Sequence, residues 1–295
     1  MLLVALLYLI CASTFTISKA ALAVSEPIFY TGVRMLAAGV LFLFYYWWQR
    51  GSFKIKREHY PLFLGGVGVY IFGSYVADNV ALKYVCTAKA CFFYNLSPFI
   101  TALFSYWIFR ERMTFKKWLG MGIGFLGFVP MLIQQECLPS TVRGWPELLL
   151  LIAVVCSVYG WIIVRQLVKT HGYSPALVNG ISMTGGGALA LVTSWFLETW
   201  QPIPVTDGKQ FLIYTLMIMV VSNLIFSTMY TNLLKVYTAT FLSFAGFTAP
   251  MFAGVLGWFF LGERPAWDIL PSTILVLFGL YIFYKEELKQ GYLAA

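Results

Sequence analysis

Long apolar stretches follow one another along nearly the whole chain, separated by short polar or charged segments. A membrane core of about 30 Å is crossed by about 20 apolar residues in a helix, whose backbone polar groups pair within the segment. By this measure the sequence predicts an all-α integral membrane protein with ten transmembrane helices. The predicted spans lie near residues 2–18, 27–48, 61–82, 86–109, 115–134, 147–166, 174–197, 211–234, 238–261 and 267–284. No connection between them is long enough for a soluble domain.

The fourth and ninth spans end alike, in "LSPFITALFSYWIFRER" and "TAPMFAGVLGWFFLGER". Pro98 precedes Glu111 by 13 positions, and Pro250 precedes Glu263 by the same distance. The offset between the two stretches is 152 residues, and it holds without gaps over about 45 residues. A fixed offset of this kind indicates an internal duplication.

The duplication divides the chain into two halves, residues 1–137 and 145–285, with five predicted spans each. Because five is odd, the second half enters the membrane in the opposite orientation to the first. Inverted repeats of this kind are typical of secondary transporters, in which two similar halves enclose a central site and alternate its access. The sequence therefore predicts two inverted five-helix repeats around a central cavity.

The five-plus-five spans, the "P…ER" ending in both halves, and Arg34 placed seven residues after Pro27 resemble one known family. It is the drug/metabolite transporter superfamily, in its EamA-type branch, and the resemblance covers nearly the whole chain. It implies an all-helical bundle around a cavity and the movement of amino acids, other metabolites or drugs across the inner membrane. Ser182 stands where the repeat would place a partner of Arg34.

Composition supports a lipid environment, since 60% of the residues are hydrophobic and only 11% are charged. The net charge of +8 does not indicate a nucleic-acid partner, because the basic residues are sorted by loop. On the predicted topology, thirteen of the twenty Lys and Arg residues lie on the side of both termini and five on the other side. By the positive-inside rule, both termini of this multi-pass protein are expected to be cytoplasmic in a bacterial inner membrane.

Several alternative functions find little support. The first span lacks the basic segment of a signal peptide, and we expect it to be retained. The five cysteines form no metal-binding spacing, and no Ser, Cys or His arrangement suits nucleophilic catalysis, so neither an enzyme nor a metal or other cofactor is expected. A disulfide between Cys86 and Cys137 stays open.

The fifth span contains a GxGxxG spacing at Gly122, Gly124 and Gly127. A dinucleotide site needs a preceding strand, whereas this segment lies in an apolar helix. Gly120 and Gly124 instead offer a close-packing face for a neighbouring helix.

Polar side chains inside the predicted spans are candidates for a substrate site, because lipid excludes such groups unless they face a partner or a wet cavity. Helical spacing places several of them on common faces with aromatic residues. The predicted substrate-binding residues are Asp78, Asn79, Tyr75, Lys89, Phe93, Asn95, Tyr8, Thr16, Asn223, Ser227 and Tyr230. Asp78 and Lys89 either form a salt bridge with each other or bind the ammonium and carboxylate ends of a zwitterionic solute.

Other residues have both a structural and a functional interpretation. Pro98 and Pro250, expected about one turn into their spans, either act as gating joints or shape helix packing. Glu111 and Glu263 are expected to be interfacial anchors or to pair with the neighbouring Arg residues. Arg34 is expected to extend to the outer interface, with binding of a substrate carboxylate as the alternative.

The leading hypothesis is a transporter of an amino acid or an amino-acid-containing solute that works by alternating access, with a proton or a counter-substrate as a coupling partner. A nucleoside-bearing metabolite such as S-adenosylmethionine is the principal alternative, because aromatic faces can hold a cationic or planar ligand. A multidrug exporter is the third. The partners expected are thus a small molecule and membrane lipid, without nucleic acid.

Overall fold

The computed structural model describes residues 2–51, 53–85, 90, 93–133, 144–249, 252 and 269–291. In these residues the chain forms ten helical segments, which confirms the predicted all-α architecture. Their bounds are α1 Leu2–Leu22, α2 Pro27–Trp48, α3 Arg57–Tyr84, α4 Ser97–Phe109, α5 Phe115–Ile133, α6 Trp145–Thr170, α7 Pro175–Leu197, α8 Gly208–Val236, α9 Ala239–Thr248 and α10 Ile269–Lys289.

Within the described ranges, α1, α2, α3, α6, α7 and α8 are long and apolar enough to cross a membrane, and α4 and α9 are shorter apolar helices. Large apolar side chains cover the outer surface, and Trp48, Phe115 and Phe196 are each more than 70% exposed. Such a surface is a liability in water but matches lipid tails. The apolar stretches that predict the helices therefore also predict that lipid surrounds them.

The contacts between helices follow a two-fold pattern that relates the two halves. Among the described helices, the two most extensive interfaces join α2 to α7 and α5 to α10, and each pairs a helix with its counterpart in the other half. The interface of α3 with α6 has its counterpart in that of α8 with α1, while α4 packs on α9. Two inverted five-helix repeats thus enclose the centre of the bundle, as the duplicated sequence predicts.

Small residues allow the paired helices to approach closely. A Cβ atom at Gly39 of α2 would lie 2.4 Å from the backbone nitrogen of Thr184 in α7. In the α5–α10 interface, a Cβ atom at Gly120 would lie 2.8 Å from the carbonyl oxygen of Gly279. Real Cβ atoms do not approach backbone this closely, so these interfaces require glycine. Gly120 therefore provides the close-packing face expected of it.

The third helix of each half widens into a π-helical stretch at its middle. These stretches are Gly66–Gly73 in α3 and Met219–Phe226 in α8, which occupy corresponding positions in the duplicated sequence. A wider turn rotates the residues that follow it relative to a regular α-helix, and π-helical turns are frequent at functional sites. Polar residues follow directly in both helices, beginning at Ser74 and Ser227.

Candidate transport site

A central cavity lies between the two halves of the bundle. It is lined by residues of α1, α2, α3, α4, α6, α8 and α9 and contains about 1170 Å³ of empty space, including the part open to solvent. Five of the predicted substrate-binding residues line the cavity, namely Tyr8, Tyr75, Asp78, Asn95 and Tyr230.

Other predicted site residues serve contacts between helices instead. The Asn79 side-chain amide donates to the Thr31 hydroxyl at 2.8 Å, and the amide of Asn179 donates to the Thr231 hydroxyl at 3.2 Å. The first bond joins α3 to α2, and the second joins α7 to α8. The amide lies on the third helix of the first half but on the second helix of the second half. Asn79 therefore stabilises a repeated interface, because a bonded amide satisfies polar groups that the bundle interior would otherwise leave unpaired.

Asn223, Ser227 and Phe93 also lie outside the cavity lining. The amide of Asn223 approaches the Met35 sulfur at 2.8 Å, and the Ser227 hydroxyl donates to a carbonyl of its own helix. Phe93 packs against buried apolar residues. Helical spacing identifies a shared face but not what that face meets, and in this structure these three residues meet protein groups. Their place in the substrate site stays a prediction. Lys89 and Pro250 lie outside the described residues, as does the side chain of Thr16.

Arg34 differs most from its expected position. Its residue is 3% exposed, and its side chain lines the central cavity instead of extending to the outer interface. The guanidinium group lies over the Tyr30 and Tyr75 rings, at 4.8 and 5.2 Å from their centroids, and donates to the Tyr30 hydroxyl at 3.2 Å. Two aromatic faces stabilise a buried cation by their negative quadrupoles. The positive charge is thereby held at the cavity wall.

Asp78 brings the opposite charge to the same cavity. It is 9% exposed, and its Oδ1 atom has no hydrogen-bond partner among the described residues. The hydroxyl of Tyr94 interacts with the same carboxylate. Asp78 and Arg34 line the cavity together without a direct ion pair between them in the described structure. An acid and a base that both face a cavity can each bind one charge of a ligand.

Aromatic residues form the wall contributed by the second half. The Trp161 ring of α6 lies against the Tyr230 ring of α8, with centroids 4.0 Å apart and an interplanar angle of 38°. Phe226 lies one turn before Tyr230, with ring centroids 5.7 Å apart. Offset rings of this kind present a broad apolar face to a planar ligand. Beside this wall, the Tyr8 hydroxyl donates to the Leu242 carbonyl and so links α1 to α9.

The cavity lining repeats at the offset that relates the two halves. Lining residues that stand 152 positions apart are Ser74 and Phe226, Asp78 and Tyr230, Tyr94 and Gly246, and Ser97 and Ala249. The duplicated backbone therefore presents the same positions from both sides. The side chains at these positions, however, differ in chemistry between the halves.

Two buried ion pairs lie at one end of the bundle. The Arg165 guanidinium donates to the Glu111 carboxylate at 2.6 Å, and both side chains are 7% exposed. Glu111 was expected to pair locally or to act as an interfacial anchor, but its partner lies on α6. The Lys117 ammonium lies 3.2 Å from the Glu287 carboxylate, which also accepts hydrogen bonds from the Thr238 hydroxyl. Pairing offsets the cost of burying these charges.

Pro98 lies in the first turn of α4, which begins at Ser97 after a turn at Asn95 and Leu96. Backbone N–H groups have no helical partner in the first turn, so a proline is tolerated there without bending the helix. In this structure Pro98 therefore begins a helical segment after a turn, and a bend within a continuous helix at this residue is not seen in the described part of the span. Its gating role stays a prediction.

The sequence did not single out Trp161, Tyr94 or Ser18 as site residues, although all three line the cavity. Trp161 lies in a strongly apolar span, where a tryptophan usually packs or faces lipid. One signal was present, because Ser157 and Trp161 are four residues apart and both line the cavity. A polar residue one turn from a large ring could have identified this face.

Ten helices in two inverted halves, around a cavity that combines a buried acid, a buried base and an aromatic wall, define a membrane transporter. A model of the EamA-like transporter family matches residues 1–133 and again residues 144–285. The chain belongs to the EamA-like transporter family, and it is a multi-pass membrane protein and not an enzyme.

Curated relatives match this chain over almost its full length. An S-adenosylmethionine/S-adenosylhomocysteine transporter of Chlamydia muridarum (strain MoPn / Nigg) is 33% identical, over 96% of this chain and 91% of its own length. The protein of the same description from Chlamydia trachomatis serovar L2 is also 33% identical, over 96% and 88%. An uncharacterized transporter of Bacillus subtilis, YvbV, is 22% identical over 98% and 92%.

A solved crystal structure has the same fold, with a TM-score of 0.76 over 96% of this chain and 97% of that chain. Its sequence identity is 19%, so the likeness concerns the fold alone.

Proposed function

We propose that this protein transports S-adenosylmethionine and S-adenosylhomocysteine across a bacterial cell membrane by alternating access. The observation that carries the proposal is the similarity to the two chlamydial transporters, which at 33% identity extends over 96% of the chain. This substrate was the alternative on sequence grounds, behind an amino acid. The relatives favour it over the leading hypothesis.

The chemistry of the cavity supports the same substrate. S-adenosylmethionine joins an amino-acid group, a sulfonium cation and a planar adenine. Arg34 and Asp78 provide opposite charges at the cavity wall, while the rings of Trp161 and Tyr230 provide an aromatic face. A cation is attracted to the faces of such rings, and a planar base stacks on them. A free amino acid would use only the charged part of this lining.

The proposed orientation places both termini and the loop at residues 49–60 in the cytoplasm, because most Lys and Arg residues lie on that side of the predicted topology. Single cysteines at positions 52 and 206, introduced into a variant without the natural cysteines, test this orientation. A membrane-impermeant reagent added to intact cells should label the cysteine that replaces Thr206 and not the one that replaces Ser52. The reverse labelling pattern would contradict the orientation.

Uptake by purified protein in liposomes tests the substrate. We expect saturable uptake of labelled S-adenosylmethionine, which unlabelled S-adenosylhomocysteine inhibits at similar concentrations. Methionine and adenosine should inhibit only at concentrations at least about tenfold higher, because each leaves one part of the cavity empty and a tenfold difference corresponds to about 1.4 kcal/mol.

Two results of these uptake measurements would contradict the proposed substrate and favour a different class of substrate. Equal inhibition by methionine and S-adenosylmethionine would indicate an amino-acid transporter. Uptake of structurally unrelated cations without uptake of S-adenosylmethionine would indicate a multidrug exporter. Liposomes that contain the protein denatured before reconstitution provide the background rate.

A further inference from the structure

Corresponding cavity positions in the two halves carry different chemistry. Asp78 in α3 corresponds to Tyr230 in α8, and both residues line the cavity. Arg34 in α2 corresponds to Ser182 in α7 when the first residues of the two helices, Pro27 and Pro175, are aligned, an offset of 148 residues. Ser182 is fully buried and lies outside the cavity lining. The first half therefore contributes both an acid and a base where the second half contributes an aromatic ring and no cation.

The charged end of the cavity retains unused hydrogen-bonding capacity. In the described part of the chain, the Nε atom of Arg34 and the Oδ1 atom of Asp78 are buried and have no hydrogen-bond partner. A buried polar atom without a partner is costly, and the cost is recovered when a ligand supplies one. An α-amino acid group carries a carboxylate that can accept from arginine and an ammonium that can donate to aspartate.

The aromatic end of the cavity, formed by Trp161, Tyr230 and Phe226, presents apolar ring faces and no charged groups among the described residues. Trp161 and Tyr230 lie 4.0 Å apart between ring centroids, and Phe226 extends the same wall. A neutral adenine ring gains stacking and apolar contact there, whereas an amino-acid group would lose its hydration without recovering an ionic partner.

Neighbouring rings connect the two ends of the cavity. The Arg34 guanidinium lies over Tyr75, the Tyr75 ring lies 6.2 Å from that of Tyr70, and Tyr70 in turn lies 4.9 Å from Trp161. Tyr70 itself is buried and lies outside the cavity lining, so it supports this wall from behind. Tyr75 and Trp161 both line the cavity, where an elongated ligand can contact the charged end and the aromatic end together. The sulfonium of such a ligand would lie beside electron-rich ring faces and not beside a second cation.

We infer that the ligand binds in one fixed orientation, with its amino-acid end held by Arg34 and Asp78 of the first half and its base on the Trp161–Tyr230 wall of the second half. This inference rests on the proposed function, because it assigns the parts of that ligand to parts of the cavity. The duplicated backbone by itself would accept the ligand in two symmetry-related orientations. The different side chains at the pairs Asp78/Tyr230 and Arg34/Ser182 allow only one of these orientations. Arg34 and Asp78 are then the residues that make the protein specific for amino-acid conjugates of adenosine.

The test combines side-chain variants with ligand analogues that lack one functional group. Decarboxylated S-adenosylmethionine removes the partner of Arg34, and a deaminated analogue of S-adenosylhomocysteine removes the partner of Asp78. Inhibition of S-adenosylmethionine uptake by each analogue is compared between wild type, Arg34→Met, Asp78→Asn and Trp161→Leu. Lys209→Met and Trp195→Leu are matched controls, because both residues are exposed outside the cavity.

We expect wild type to bind the decarboxylated analogue about tenfold to a hundredfold more weakly than S-adenosylmethionine, as the loss of a hydrogen bond to a charged group implies. In Arg34→Met, the decarboxylated analogue should bind at most about threefold more weakly than S-adenosylmethionine. The deaminated analogue should still bind much more weakly than S-adenosylmethionine in this variant. Asp78→Asn should show the converse pattern. Trp161→Leu should weaken binding of all adenine-containing ligands equally, and the two control variants should behave as wild type.

The inference would be overturned if Arg34→Met lost discrimination against the deaminated analogue, or Asp78→Asn against the decarboxylated one. Full discrimination of the decarboxylated analogue by Arg34→Met would also overturn it. If Arg34→Met does not fold, Asp78→Asn decides, because it keeps the size of the side chain. Wild-type uptake of S-adenosylmethionine with no such coupling in the variants would refute the orientation and leave the proposed function standing. Absence of wild-type uptake would refute the proposed function itself.

Discussion

The buried pair of Glu111 and Arg165 permits a quantitative prediction for Glu111→Gln. Both side chains are 7% exposed and 2.6 Å apart, so the substitution leaves the Arg165 charge buried without a counter-ion. In the described residues, the Nε and Nη1 atoms of Arg165 have no hydrogen-bond partner. The Phe109 ring, 4.4 Å from the guanidinium carbon, remains as a partial substitute.

Removal of one partner from a buried ion pair costs about 3–5 kcal/mol. We expect a value of about 3 kcal/mol for Glu111→Gln, because a glutamine oxygen can still accept the hydrogen bond while the charge is lost. The ring contact offsets no more than about 2 kcal/mol of the cost and is already present in wild type. Replacement of both partners by Glu111→Leu with Arg165→Met should return the stability to within about 1 kcal/mol of wild type, since no charge then remains buried.

The pair of Glu26 and Lys83 provides the matched control. It has the same 2.6 Å separation, but its side chains are 40% and 34% exposed, so Glu26→Gln should cost less than about 1 kcal/mol. Apparent melting temperatures of the purified variants in one detergent give the comparison. Equal shifts for Glu111→Gln and Glu26→Gln would contradict this prediction, as would a double variant that is no more stable than Glu111→Gln.

Three further predictions concern stability and use the same melting assay. Gly120→Ala should destabilise by about 1–3 kcal/mol, because its Cβ atom would meet the backbone of α10 at 2.8 Å, whereas Gly122→Ala, with no atom within 4 Å, should be neutral or mildly stabilising. Thr238→Val should cost about 1–2 kcal/mol, because its hydroxyl caps α9 and donates to a buried carboxylate, and Thr238→Ser should retain most of that stability. Burial, together with the charge of His59, lowers the pKa of His171 below its usual 6.5, so stability should fall as the pH drops below that value. His171→Phe should reduce this loss of stability at low pH. An unchanged pH dependence of the melting temperature in this variant would show that His171 does not cause the loss.

The fold could be predicted from the sequence because lipid leaves few alternatives for an apolar chain. Backbone groups must pair within each span, so runs of apolar residues predict helices directly. The 152-residue offset predicts the symmetry, and it reappears in the cavity lining, where Asp78 corresponds to Tyr230. For the same reason, polar and aromatic residues inside the spans identified part of the cavity lining, and five of the eleven predicted residues, including Asp78 and Asn95, face the cavity.

The remainder depended on contacts between helices that spacing does not determine. Arg34 was expected at the interface because a lone arginine in a span usually extends to water, but two tyrosine rings from α2 and α3 hold it at the cavity. Asn79 faces a threonine on the neighbouring helix and not the ligand space. Trp161 belongs to the site because α6 packs beside α3, and the spacing of Ser157 and Trp161 alone does not determine that contact.

A structure of the purified protein saturated with S-adenosylhomocysteine tests the proposed substrate site and the orientation of the ligand most directly. We expect ligand density in the cavity between the two halves, with the amino-acid end beside Arg34 and the adenine against Trp161. Density for the ligand in the opposite orientation, density at another place on the protein, or an empty cavity at saturating concentration would contradict it.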